Sequence, residues 1–214
     1  MKKRAFGIII AMVLICAVMA ILETVVQPGY WIKSCCKAVL FSAAVLAFGC
    51  RGLFRQEGLV PGLVLGGAIF AVILLGYFLF RSFIDLEAIA DGLLGKEGIR
   101  RENFLWVALY ISLCNSLLEE LLFRGLGYLE LRKFAPEGFA MVFSAAAFAV
   151  YHVAILDGWF SWWMYALCMA GLFVGGLIFN FLDRRGGVLP GWLAHAGANL
   201  AINTVGLTMF GLLP

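Results

Sequence analysis

Asn115-Ser116-Leu117-Leu118-Glu119-Glu120-Leu121-Leu122-Phe123-Arg124 lies in the middle of an apolar run that extends from Phe104 to about Leu131. A run of that length suits a membrane-crossing helix, which takes about 20 apolar residues. Two adjacent carboxylates therefore fall inside a lipid-spanning segment. A charge in hydrocarbon is costly, and an intramembrane acidic residue marks a functional site by default. Glu120 and Arg124 are four apart and can pair along one helix face, which leaves Glu119 free.

The rest of the chain agrees with a membrane setting. Of 214 residues, 64% are hydrophobic and only 14% are charged, against about 45–50% and about 25% in soluble domains. The net charge of +3 is spread over loops and forms no tail, which argues against a nucleic-acid partner. Lys2-Lys3-Arg4 precedes an apolar stretch to about Val26 that shows no clear cleavage site, so it reads as a retained first helix. The cysteines at 16, 35, 36, 50, 114 and 168 show neither metal-ligand spacing nor a disulfide framework.

Seven segments have the length and apolarity of membrane helices: Ala5 to Val26, Ser34 to Cys50, Leu59 to Phe80, Phe104 to Leu131, Gly138 to Leu156, Trp159 to Leu182, and Leu189 to Leu213. The expected fold is all-α, a polytopic transmembrane bundle of about seven helices. Lys37, near the start of the short second segment, is expected to snorkel to the interface. Between the third and fourth segments, Phe83, Leu86, Ala90, Leu93 and Leu94 recur at helical spacing. This predicts a short interfacial helix, with Ser82 as its cap and Gly95 at its end. It would serve as a connector or as a gate over a site. Trp159, Trp162 and Trp163 fit interfacial anchors. The excess of Lys and Arg in alternate loops favours a cytoplasmic N-terminus.

The two histidines also lie in apolar segments. Glu119 is fourteen residues before Lys133, and His152 is fourteen after Gly138. Pro136 sits between them and suits a turn. At about 1.5 Å per residue, both side chains stand roughly 21 Å from that turn, at one depth on antiparallel neighbours. In the last segment His195 and Asn199 share a face, which Asn203 continues. Ala196, Gly197 and Ala198 fill the gaps and allow close helix approach. Asn115 lies four residues before Glu119. A carboxylate beside an imidazole can deprotonate water, and a second imidazole with an amide can donate to a developing oxyanion. That set suits water attack on a peptide carbonyl. Two His and one Glu can equally hold zinc, although no His-Glu-x-x-His helix is present.

Glu119-Glu120-x-x-x-Arg124, Phe148-x-x-x-His152 and His195-x-x-x-Asn199 resemble the motifs of the CAAX-protease and bacteriocin-processing family, also called the abortive-infection family. The resemblance covers roughly Phe104 to the C-terminus. It implies an intramembrane endopeptidase in which Glu119 is the general base and His152 positions or activates the water. His195 and Asn199 would form the oxyanion hole, and Glu120, Arg124 and Phe148 would support the site or bind substrate. No metal is assigned; in a zinc version of the family's chemistry the ligands would be Glu119, His152 and His195. Implied partners are the bilayer and a peptide or protein substrate, lipidated in the CAAX case, with a bacteriocin-processing or self-immunity role as a variant. The chain reads as bacterial and as an integral protein of the plasma membrane. Residues 1–103 would form N-terminal helices with the amphipathic connector, and 104–214 the catalytic core. Two rival classes remain at this stage: a non-catalytic membrane scaffold or immunity protein, in which the polar cluster only holds helices together, and a proton-coupled transporter.

Overall fold

The computed structural model describes residues 2–213, and among them there is no β-strand. Eight helices follow one another: α1 (Lys2–Val26), α2 (Tyr30–Ala47), α3 (Leu59–Phe83), α4 (Leu86–Gly92), α5 (Arg101–Lys133), α6 (Glu137–Val153), α7 (Trp162–Asp183) and α8 (Leu189–Met209). Five of them, α1, α2, α3, α5 and α7, are long and apolar enough to cross a membrane. The protein is thus an all-helical integral membrane protein among the described residues, and five of the seven expected spans meet these criteria. The other two segments are present as helices. Helix α6 has only 17 residues, and the polar face of His195, Asn199 and Asn203 lowers the hydropathy of α8.

The connector forms where amphipathic spacing places it, but its ends differ from expectation. Asp85 rather than Ser82 caps α4, accepting from the Ala88 N–H at 2.9 Å. The helix runs on through one wide turn, Leu93–Glu97, and stops at Gly98 rather than Gly95. Gly98 has φ 66°, a left-handed conformation that glycine adopts at little cost. Pro136 stands at the start of α6 as the break between α5 and α6 requires.

Helix α5 is not uniform. Tyr110–Asn115 and Glu120–Glu130 are wound as π-helix around a short α-helical stretch, Ser116–Glu119. Wide winding of this kind concentrates at functional sites. Here both acidic residues sit at the junction.

Lipid-facing and buried surfaces separate cleanly. Val60, Leu63, Val64, Val72, Leu75, Phe78 and Leu79 of α3 are all exposed, as expected of a helix bathed in hydrocarbon. Its attachment to the bundle comes from Gly62 and Gly66, which lie directly on the backbone of α8 at Pro190, Leu193 and Ala194. This Gly62-x-x-x-Gly66 spacing lets two helices touch without intervening side chains. Around the site, Phe41, Phe123, Phe148 and Tyr151 pack edge-on into one aromatic core, with Ile8 and Met12 of α1 in the same cluster.

Polar bonds supplement this packing. Ser144 Oγ is 2.7 Å from the Phe123 carbonyl and 3.1 Å from Asn180 Oδ1, and the Asn180 amide donates to the Met141 carbonyl at 2.9 Å. These bonds stitch α5, α6 and α7 together. Interhelical hydrogen bonds in membranes average about 0.6 kcal/mol, so Asn180→Ala is expected to lower stability by about 1 kcal/mol. Thermal unfolding in detergent checks this; an unchanged midpoint would make the network ornamental.

Candidate active site

Three helices bring Glu119, His152 and His195 together at the depth expected from their spacing. Glu119 Oε2 lies 3.7 Å from His152 Nε2 and 3.8 Å from His195 Nε2. Glu119 and His195 are buried, and His152 is half-buried, the most open of the three.

The second nitrogen of each ring has a defined partner. His152 Nδ1 is 2.8 Å from the Phe148 carbonyl, one turn back on α6. A carbonyl only accepts, so Nδ1 carries the proton and the neutral ring presents the Nε2 lone pair to Glu119. His195 Nδ1 is 2.8 Å from Glu120 Oε1, which likewise requires a donating Nδ1–H. Adjacent glutamates thus serve different rings: Glu119 faces both Nε2 atoms, and Glu120 orients His195 from behind.

Glu120 is backed in turn by Arg124, with Oε2 3.2 Å from Arg124 Nε. The angle falls short of a hydrogen bond, so this contact is an ion pair only. The buried guanidinium lies between the rings of Phe148 at 4.2 Å and Phe179 at 5.0 Å. Cation–π attraction helps offset its desolvation there. Phe148 also meets both histidines edge-on, and Phe179 stacks on His195. Phe148 is therefore a wall shared by the arginine and the two imidazoles.

Asn199 stands one turn beyond His195 on α8 and donates one amide N–H to the Ile111 carbonyl at 3.2 Å. Asn203 donates to the Ala108 carbonyl and to Ser112 Oγ. Both amides anchor α8 to α5 just before or within its first wide-wound stretch.

Three buried charged residues escaped the sequence reading. Lys37 does not snorkel. Its Nζ is buried, 2.6 Å from Asn115 Oδ1 and 3.2 Å from Glu119 Oε1, above the Tyr151 ring. Lys33, one turn earlier on α2, is buried between Glu23 at 2.5 Å and Glu97. The signal for both was their i, i+4 spacing on an otherwise apolar helix, which puts them on one inward face. Asp183 is the other omission: it accepts from the Gly191 N–H at 2.7 Å and fixes the start of α8.

By donor type, two imidazole lone pairs and a carboxylate suit zinc. Glu119, His152 and His195 are the residues that would hold it, although no group of three His, Cys, Asp or Glu stands at metal-binding spacing among the described residues. The cations Lys37 and Arg124 stand beside the carboxylates Glu119 and Glu120.

Residues 101–201 match the family model described as type II CAAX prenyl endopeptidase Rce1-like. This stretch is an Rce1-like domain. It takes in Glu119, Glu120, Arg124, Phe148, His152, His195 and Asn199, and it leaves out Lys37. No curated protein and no solved structure matches the chain. The Rce1-like domain is thus completed at Glu119 by a side chain from α2, outside the matched stretch.

Proposed function

We propose that the protein is an intramembrane endopeptidase of the CAAX type, using water activated by Glu119 without a metal. One observation carries this reading: a single carboxylate oxygen, Glu119 Oε2, faces two imidazole Nε2 atoms. A water between them donates one hydrogen to Glu119 Oε2 and the other to the His152 Nε2 lone pair. Both acceptors aim its oxygen lone pair outward. As the oxygen adds to the scissile carbonyl carbon, its proton passes to Glu119, which later delivers it to the departing amine. His195 in its charged form donates from Nε2 to the oxyanion, with Glu120 at 2.8 Å as counter-ion to the ring. Asn199 has one N–H on Ile111, and its second N–H is available for the same oxyanion.

The match to a type II CAAX prenyl endopeptidase model supports one substrate class: a peptide ending in a prenylated cysteine motif, presented from the membrane. On the seven-segment reading, with Lys33 and Lys37 buried, one set of loops keeps only Arg81, Lys96, Arg100 and Arg101, and the other set holds Lys2, Lys3, Arg4, Arg51, Arg55, Arg132, Lys133, Arg184 and Arg185. Arg4 also binds the Phe48 carbonyl and Glu130, and the Val188 N–H binds the Leu53 carbonyl, which gathers those loops on one side. This supports a cytoplasmic N-terminus.

The test uses purified protein in lipid nanodiscs and a farnesylated peptide ending in a CAAX sequence, with products read by mass spectrometry. Release of the residues that follow the cysteine is expected, at an unchanged rate after chelation. An intact probe overturns the CAAX reading. Loss of activity on chelation, restored by zinc, overturns the metal-free mechanism.

A further inference from the structure

We infer that Lys37 is a positioning residue for Glu119, dividing the labour between the two carboxylate oxygens. The inference rests on the reading of Glu119 as the base. Oε1 receives two donors, the Lys37 ammonium at 3.2 Å and the Asn115 amide at 2.8 Å. Oε2 receives neither and is the atom turned to His152 and His195. Asn115 is itself fixed by Lys37, whose Nζ lies 2.6 Å from its Oδ1. The amide oxygen accepts from the lysine while the amide nitrogen donates to the glutamate. The three groups close a ring that sets the rotation of the carboxylate about its last bond.

The inward turn of Lys37 has a physical reason. It stands seven residues into α2, roughly 10 Å from the helix start, beyond easy reach of the interface. An unpaired ammonium at that depth is strongly disfavoured, and so is an unpaired Glu119 carboxylate. Each removes the other's penalty, and the Tyr151 ring at 5.1 Å covers the ammonium from one side. Lys33, one turn earlier, is satisfied by Glu23 and Glu97 and does not compete for Glu119.

Two measurements on the full chain separate this inference from the enzymatic reading. The first is a thermal-stability cycle of wild type, Lys37→Met, Glu119→Gln and the double variant. Lys37→Met strands a buried carboxylate and should lower the unfolding midpoint, and adding Glu119→Gln should recover most of that loss. Additive effects overturn the pairing without reference to activity. The second is cleavage of the farnesylated probe. Lys37→Met should lower kcat by about 100-fold, the scale of a misplaced reacting group, with KM changed by less than about threefold. Wild-type kcat in Lys37→Met beside an inactive Glu119→Gln overturns the positioning role and leaves the base assignment standing. Activity in both variants removes Glu119 as the base, and a probe that wild type leaves intact removes the CAAX reading. The stability cycle alone then decides whether the pair exists.

Discussion

Glu119→Gln is expected to abolish cleavage, lowering turnover by about 1,000-fold or more, in a protein that still folds. The rate loss follows from the role of Oε2. General acid–base groups contribute about 100- to 10,000-fold, and an amide in that position cannot take the proton from water. Tolerance of the change follows from the neighbours. The amide oxygen can still accept from Asn115 and Lys37, at the distances Oε1 now shows. The new N–H groups would face the His152 Nε2 lone pair, an acceptor already in place. The cost falls on Lys37, which loses its counter-ion and makes the variant less stable than wild type. Size-exclusion behaviour and thermal unfolding establish the fold, and product analysis establishes the rate. A folded Glu119→Gln protein that still cleaves at the wild-type rate removes Glu119 from the chemistry. Glu119 and its partners would then serve to hold the helices together, with the cleavage chemistry elsewhere.

The core of the site was legible because it rests on helical periodicity and length. Equal spacing from the turn placed Glu119 and His152 at one depth, and the 3.7 Å separation follows from that. His195 and Asn199 share a face of α8, but only His195 contacts the glutamates, since the Asn199 amide reaches the Ile111 carbonyl. What stayed hidden depends on which way a long side chain bends. Lys37 can satisfy its charge by snorkelling or by pairing, and α2 alone does not say which. The choice is made by Glu119, 82 residues away in sequence. The wide winding of α5 was equally illegible, because Leu, Phe and Gly favour no particular number of residues per turn there. Five of the seven expected spans meet the criteria of length and hydropathy, and α8 falls short of them for the reason that made the site visible: it is polar where it carries His195, Asn199 and Asn203. A hydropathy criterion penalises that same face.

The contrast between two adjacent glycines should be nearly as large as the effect at Glu119. Gly66→Leu is expected to cost about 2–3 kcal/mol or more and to abolish activity, while Gly67→Leu is close to neutral. A Cβ on Gly66 would come 2.7 Å from the Leu193 carbonyl and 3.4 Å from Ala194 Cα. Both are backbone atoms of α8, so neither can rotate aside. On the partner helix, a Cβ on Gly197 would meet the Gly66 backbone equally directly. A Cβ on Gly67 meets nothing within 4 Å and points to lipid. The sensitivity extends to chemistry because Leu193 and Ala194 immediately precede His195. Wedging α3 from α8 either displaces α3, whose remaining surface is largely lipid-facing, or pushes α8 inward. Inward movement shifts His195 from its 2.8 Å contact with Glu120, and a reacting group misplaced by about 1 Å can lose 100-fold in rate. Thermal unfolding and probe cleavage, run side by side on the two variants, read both consequences. Equal behaviour of Gly66→Leu and Gly67→Leu would mean that α3 is an accessory helix resting on the bundle. A stable Gly66→Leu protein with a low kcat would show that α8 yields rather than α3, placing the control of His195 in the packing of a helix outside the Rce1-like domain.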